Sequence, residues 1–400
     1  MLQGYCDPRY RSVREAFARN FTEHGERGAS ICVIAQGETV VHLWGGESGG
    51  ESVNDSGRPW NEDTVCHVFS CTKGAVALCA HLLADAGELD FERPIRDYWP
   101  EFGQNGKAEI PLRMALNHQA GLPAIRTEFG TDELFDGRAL ARLIERDAPV
   151  WEPGTSHGYH AVSFGVLIDE VIHRVTGRSA GRFFRDEVAG PLGLDYWIGL
   201  PESVEPRLAP IVLPDIPAAT DPRQPVSASD TVAAVRRNVE VLLAACRDRE
   251  FRAAGNPAGG GVATAAGLAG MYAPLSLDGT IHGKRLISEN AIPSMARPRS
   301  VSDRDAVLDI PTAFTLGFTS SWGTGTHRPG LGFCLGESAF GHPGMGGSIG
   351  FADPANHLAF GYVMTRMNGL PSLDERAQSL IDATYRAAGL RDRKPGFWRH

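Results

Sequence analysis

Strand-type signals sit at both ends of this chain, and helix-type signals fill the middle. A sheet assembled from such a chain must draw strands from both termini. At the N-terminal side, Ser12 to His24 carries Val13, Phe17 and Phe21 on one helical face. "ASICVIAQGETVVHLWGG" then places two apolar runs around Gln36-Gly37-Glu38, a hairpin signal. A polar loop, Glu51 to Asp63, leads to a short run, Thr64 to Phe69. From Cys71 to about Arg249 the pattern is helical. Ala75, Val76, Cys79, Leu82, Leu83 and Ala86 recur at helical spacing before Gly87, and Leu140, Leu143 and Ile144 mark a second helix. Val166, Leu167, Val171, Ile172 and Val175 mark a third, closed by Gly177, and Val232 to Cys246 a fourth. After Gly255 the glycine-punctuated runs "TAFTLGFTSSWG", "SAFGHPGMGGSIGFADP" and "HLAFGYVMTRM" read as strands and turns. A last helix, Leu373 to Ala388, is predicted with a Ser372/Glu375 capping box and Gly389 at its end. The expected fold class is α+β: an antiparallel sheet flanked by helices, with an inserted all-helical lobe. Residues 1–70 and 256–400 would form a discontinuous sheet domain and 71–255 the helical domain, with the active site in the cleft between them.

The 400 residues include 39 Lys+Arg against 48 Asp+Glu, a formal net charge of −9. That balance disfavours nucleic acid and anionic membrane as partners, because both need a basic surface. No apolar run is long enough to span a bilayer, and "MLQGYCDPRYRSVREAF" has no apolar signal-peptide core, so the expected location is cytoplasmic. The seven cysteines are odd in number and none has C-x-x-C spacing. They read as small buried residues in a reducing compartment rather than a zinc site or a disulfide framework.

Within the first helical run, "VFSCTKG" holds Ser70 and Lys73, the one S-x-x-K of the chain. Residues three apart share a helix face with Cβ atoms about 5–6 Å apart. A lysine desolvated at the base of a pocket falls below its usual pKa and can take the serine proton. At a helix start, the Ser70 N–H also points toward any oxyanion that forms. Ser70 and Lys73 are therefore candidate nucleophile and base. The competing reading is an N-cap serine beside a solvated lysine.

The wider sequence resembles the serine β-lactamase, penicillin-binding-protein and family VIII carboxylesterase group over nearly its whole length. Besides "VFSCTKG", the stretches "YWPEFGQNGKAEIPLRMALNHQAGLP", "WEPGTSHGYHAVSFGVLIDEVIHRVTG", "PAGGGVATAAGLAGMYAPL" and "FGHPGMGGSIGFADP" carry the resemblance. It implies that Tyr159 corresponds to the tyrosine of a Tyr-x-Asn motif, a phenolate held near Lys73 that acts as base and then acid. His342-Pro343-Gly344 falls where relatives carry Lys-Thr-Gly or His-x-Gly. There His342 would hydrogen-bond Tyr159 or a substrate carboxylate, Gly344 would let the backbone approach a ligand, and the Met345 N–H would be the second oxyanion donor beside Ser70.

Two departures bear on substrate. Ala161 stands where the motif has asparagine, the amide that holds β-lactams and peptides, and the lysine of the third motif is absent. Both shift the expectation from lactams and peptides toward small carboxylic esters. An acyl-Ser70 intermediate could also pass to an amine or alcohol, so acyltransferase or amide synthase chemistry is the alternative. A β-lactamase or D-amino-peptidase, and a non-catalytic binding module, are the further ones. Gly346-Gly347-Ser348-Ile349-Gly350 fits the G-x-S-x-G nucleophile elbow, but "FADPANHLAF" follows it, with no helix or triad spacing. Cys71 reads as packing. His118, His157 and His160 fit no standard metal spacing; neither metal nor cofactor is expected. The expected partner is a small ester or acyl substrate, whose identity rests on the helical lobe and the 210–230 loop, and self-association into a homo-oligomer is left open.

Overall fold

The computed structural model describes residues 2–49, 57–212, 230–321, 333–368, 373–391 and 397–400. Along the chain, β1 (Gln3–Cys6) and the helix Arg11–Glu23 precede β2 (Gly28–Ala35) and β3 (Glu38–Ser48). Two residues join β2 to β3, and both are left-handed, Gln36 at φ 54° and Gly37 at φ 83°. That conformation matches the strand twist of a tight hairpin. β4 (Arg58–Pro59) pairs with β3, and β5 (Cys66–Phe69) runs into the helix Cys71–Asp85. Helices Gly137–Arg146 and Ser163–Thr176 follow, the latter closed by Gly177 at φ 70°. β6 (Tyr196–Ile198), the helix Asp230–Ala245 and β7 (Gly261–Ala263) come next, then the hairpins β8 (Thr280–Ile281) with β9 (Lys284–Arg285) and β10 (Ser300–Ser302) with β11 (Thr312–Phe314). The chain returns through β12 (Phe340–Pro343), β13 (Ile349–Asp353) and β14 (Leu358–Met364) to the helix Glu375–Ala387.

The main sheet has the order β1-β3-β2-β14-β13-β12, with β4 beside β3, and its strand pairs are antiparallel. N- and C-terminal strands meet at β2–β14, where Ile31 faces Tyr362. One sheet face buries Val13, Phe17, Leu380, Ile381 and Tyr385 of the first and last helices against Ile31, Val33, Phe351 and Phe360. The other receives the helix Ala265–Tyr272. Its closeness is set by Gly361: a Cβ there would lie 2.4 Å from the Ala265 carbonyl oxygen.

Three local expectations differ from what is found. Helix Ala265–Tyr272 lies in a stretch read as strands and turns. It is apolar all round, buries Leu268, Ala269, Met271 and Tyr272, and so leaves no amphipathic period. Its start is marked by Thr264, whose hydroxyl accepts the Gly267 N–H at 2.9 Å. Strand β6 interrupts the span read as helical and pairs with β7, making the small sheet β5-β7-β6. Three residues are too few to display a period of two. The last helix is capped by Asp374, whose carboxylate accepts the Arg376 N–H at 3.1 Å. Ser372, of the expected capping box, lies outside the described residues, as does 213–229 of the expected pocket loop. No helix among the described residues is long and apolar enough to cross a membrane.

Candidate active site

Strand β5 delivers Ser70 through a strained residue. Phe69 has φ 43°, a conformation that bulky side chains rarely adopt. The Thr72 hydroxyl donates to the Phe69 carbonyl and accepts the Gly261 N–H at 2.9 Å, tying the turn to β7. Ser70 occupies the N-cap position of Cys71–Asp85, yet its side chain makes no capping bond. It is partly exposed, with its Oγ turned to the next helical turn.

Lys73 is not solvated: it is 0% exposed. Its Nζ lies 3.1 Å from Ser70 Oγ and donates to the Ala258 carbonyl at 2.7 Å. No carboxylate forms an ion pair with it among the described residues, and burial, opposed only in part by Cys71, lowers the pKa to about 7. Ala258, in the "PAGGGVA" landmark, was not singled out from sequence. Its carbonyl accepts one amine hydrogen and leaves the nitrogen lone pair of the neutral form available to Ser70.

Tyr159 lies beside this pair, with its ring centroid 5.2 Å from Lys73 Nζ. It packs among His118 (5.0 Å between centroids), Phe314 (6.2 Å) and His342 (6.1 Å). Burial raises its pKa, and interaction with the Ser70 side chain opposes this only in part. Burial thus favours the neutral phenol over the expected phenolate. The backbone of Tyr159 is fixed by Asp305, whose Oδ1 accepts its N–H at 3.1 Å and those of Val307 (2.8 Å) and Leu308 (2.9 Å). Asp305 carries no sequence signal: it is one acid in the polar run Ser302–Asp305.

The three histidines near Tyr159 have structural partners. His118 Nδ1 accepts the His160 N–H at 3.1 Å. His160 Nδ1 bonds to the Gly158 carbonyl at 2.7 Å, and its Nε2 accepts the Leu122 N–H at 3.2 Å. His157 bonds to Ser300 Oγ and, at 2.9 Å, to Thr312 Oγ1. Burial lowers all three below the ordinary histidine value.

His342 on β12 departs from its expected role. It is 2% exposed, its Nδ1 bonds to the Pro343 carbonyl at 2.7 Å, and burial beside Lys73 pushes its pKa down to about 3. An uncharged, enclosed imidazole gives a substrate carboxylate no counter-charge. With Nδ1–H donating, Nε2 is a buried acceptor, and it has no partner. Gly344 is also required by the packing of the sheet strands. A Cβ there would lie 2.2 Å from the Val68 carbonyl oxygen, so the glycine lets β12 approach β5 closely. Cys71, buried and with its thiol pushed up by desolvation, donates to the His342 carbonyl at 3.1 Å and pins β12 to the start of the helix.

This packing carries the turn after β12 against the Ser70 segment. The turn is closed by Gly344 N–H to the Ser348 carbonyl (2.7 Å) and Gly347 N–H to the Gly344 carbonyl (3.2 Å); the Met345 N–H takes part in neither. Ser348 itself is buried and leads straight into β13 rather than a helix, so the nucleophile-elbow geometry is absent. Ala161 packs against the cluster of Ala124, Ala234 and Val235, and presents no polar group where the motif has an amide.

The sequence profile of the beta-lactamase family matches residues 13–385. "Esterase/beta-lactamase LipL" of Mycobacterium tuberculosis is 34% identical over 98% of this chain and 90% of its own length. Among solved structures, a family VIII carboxylesterase superposes with a TM-score of 0.86 at 36% identity, covering 97% of this chain and 100% of that one. A penicillin-binding protein homolog from Caulobacter crescentus gives a TM-score of 0.83 at 32% identity, again over 97% and 100%.

Proposed function

The chain belongs to the beta-lactamase family, and from that premise we propose that it is a serine carboxylesterase whose acyl-enzyme forms on Ser70. The observation that carries this reading is the buried Lys73 amine, 3.1 Å from Ser70 Oγ with a pKa of about 7. Close to half of such amines are neutral at pH 7 and can accept a proton. Ser70 Oγ attacks the ester carbonyl carbon while its proton passes to Lys73 Nζ. The carbonyl electron pair moves to oxygen, which the N–H groups of Ser70 and Met345 receive. Collapse expels the alkoxide, protonated by Lys73 or by the neutral Tyr159 phenol, which recovers the proton from Lys73. Water then attacks the acyl-enzyme by the same route in reverse, releasing the acid and restoring Ser70.

The site is proposed to occupy the cleft between the sheet part, 1–70 and 256–400, and the helical part, 71–255. Ser70 lies at the junction, Lys73 and Tyr159 come from the helical side, and Met345 from the sheet side. Ester preference over β-lactams is supported by Ala161 and by the uncharged His342, which together remove both lactam anchors. A cytoplasmic location is supported by the free thiols of Cys6, Cys32, Cys66, Cys71, Cys79 and Cys246, which suit a reducing compartment.

The test is covalent labelling. A fluorophosphonate probe should add one phosphonyl group to the wild-type protein, by intact mass, and none to Ser70→Ala. A panel of p-nitrophenyl esters of rising chain length should be hydrolysed by the first and not by the second. Labelling and turnover that survive in Ser70→Ala would overturn the reading.

A further inference from the structure

The turn that presents the Met345 N–H contains two glycines in succession at positive φ, Gly346 at 92° and Gly347 at 123°. Such a segment has no side chains with which to hold its own shape. Two backbone hydrogen bonds close the turn on itself, and the Gly346 carbonyl is where the rest of the fold holds it. That oxygen accepts the Asn368 N–H at 3.0 Å and Arg376 Nη2 at 3.2 Å. Arg376 belongs to the last helix and is 3% exposed. Its Nε donates to Asp374 Oδ2 at 2.8 Å, and its Nη1 donates to Glu26 Oε1 at 3.2 Å and to the Arg366 carbonyl at 2.9 Å. Glu26 is held in turn by the Arg27 N–H at 3.0 Å and by the hydroxyl of Tyr362 on β14. A Cβ on Gly347 would lie 3.6 Å from Arg376 Nη2, so the guanidinium lies against the turn itself.

A buried ion pair is weak support for stability, since desolvation offsets much of the attraction. A guanidinium whose edges are all engaged is, however, a rigid fork. Here Nε and Nη1 are anchored on the carboxylates of Asp374 and Glu26, and Nη2 meets the carbonyl of the residue after Met345. We propose that Arg376 is a positioning residue for the oxyanion hole, fixing the Met345 N–H through the Gly346 carbonyl. The inference rests on the oxyanion role of Met345 proposed above. Lysine at 376 would keep the charge but, as a point donor, could not reach Glu26, Asp374 and Gly346 together.

The experiment compares wild type with Arg376→Lys by three measurements: near-UV circular dichroism for folding, kcat and KM for p-nitrophenyl acetate, and inhibition by phenylboronic acid. The boronic acid forms a tetrahedral adduct on serine that places an oxygen in the oxyanion hole. A misplaced donor should lower kcat by about 10²-fold, the scale of losing one oxyanion contact. It should weaken boronate inhibition by a similar factor and leave KM within about threefold. A folded Arg376→Lys with wild-type kcat overturns the proposal, and so does one that loses rate with unchanged boronate affinity. If Arg376→Lys does not fold, Glu26→Gln loosens the same anchor and must show the same parallel loss; unchanged rate or unchanged boronate affinity there is equally fatal. Met345→Pro, which deletes the N–H, separates the two readings. Wild-type turnover in Met345→Pro removes the oxyanion assignment itself, whereas loss in Met345→Pro beside full activity in Arg376→Lys removes only the role of Arg376.

Discussion

Lys73 should place the pH dependence of turnover near neutrality. An unburied lysine keeps its proton to about 10.5, while burial brings Lys73 to about 7. A base with that value is about one-tenth neutral at pH 6 and about nine-tenths neutral at pH 8, so kcat/KM should rise about tenfold over that interval and then level off. The neighbouring histidines do not obscure the inflection, because His118, His157, His160 and His342 are all lowered from the ordinary histidine value. The same displacement affects stability. The folded protein binds fewer protons at Lys73 than the unfolded chain between about pH 7 and 10.5, so stability rises with pH through that window. Below it the cost of burying the cation is fully present; above it the cost is gone. The gap corresponds to about 5 kcal/mol at about 1.36 kcal/mol per tenfold change, an upper bound because buried sites relax. Lys73→Met should therefore be stabilised over wild type at pH 6 and lose much of that advantage by pH 10. Initial rates on p-nitrophenyl acetate from pH 5.5 to 9.5 and urea unfolding at pH 6 and 10 measure both effects. A rate profile flat across this range, or one centred near 10, would refute the argument, as would a Lys73→Met stability difference independent of pH.

Ser348→Ala should retain wild-type turnover while Ser70→Ala loses nearly all of it, and the reverse order would restore the nucleophile elbow. Lys73→Ala and Tyr159→Phe should each lower kcat by about 10²–10⁴-fold. Their double mutant should fall little below the worse single mutant, because linked proton carriers are not additive; multiplicative losses would mean separate tasks. Nitrocefin should be hydrolysed far more slowly than the best p-nitrophenyl ester, and Ala161→Asn combined with His342→Lys should raise the nitrocefin-to-ester ratio. Equal wild-type rates on the two substrates would remove the ester preference.

What the sequence displayed and what it hid follow from the range of the forces involved. The β2–β3 hairpin is a local event: Gln36-Gly37 supplies both left-handed residues, so a two-residue turn places it. Gly177 is likewise visible, because a helix C-terminus asks for a left-handed residue at one position. Ser70 and Lys73 are three residues apart and owe their proximity to one helical turn. Helix Ala265–Tyr272 and strand β6 have no such local mark, since burial all round and three-residue length both erase periodicity. Asp305 and Arg376 act on Tyr159 and Gly346 across 146 and 30 residues. Nothing near either in sequence signals its target. The strain at Phe69 was equally hidden, since a bulky aromatic is the last residue expected at φ 43°.

The charge state of the cleft was hidden for the same reason, and it bears most directly on chemistry. Composition places His118, His157, His160 and His342 in the chain as groups that could be cationic. Burial lowers the pKa of each, which disfavours the cation, and the amine beside Ser70 is that of Lys73. Before reaction, Lys73 with a pKa of about 7 is close to half neutral at pH 7, and His342 adds no charge beside it. In the proposed mechanism, the proton that Ser70 gives up creates a cation at Lys73 as negative charge appears on the substrate oxygen. The two charges form together in a buried setting, where their attraction is only weakly screened. A permanent cation at position 342 would have raised substrate affinity for carboxylates, but it would also have disfavoured protonation of Lys73 at the moment Ser70 gives up its proton. A neutral His342 would thus serve both the proposed base and the proposed ester preference.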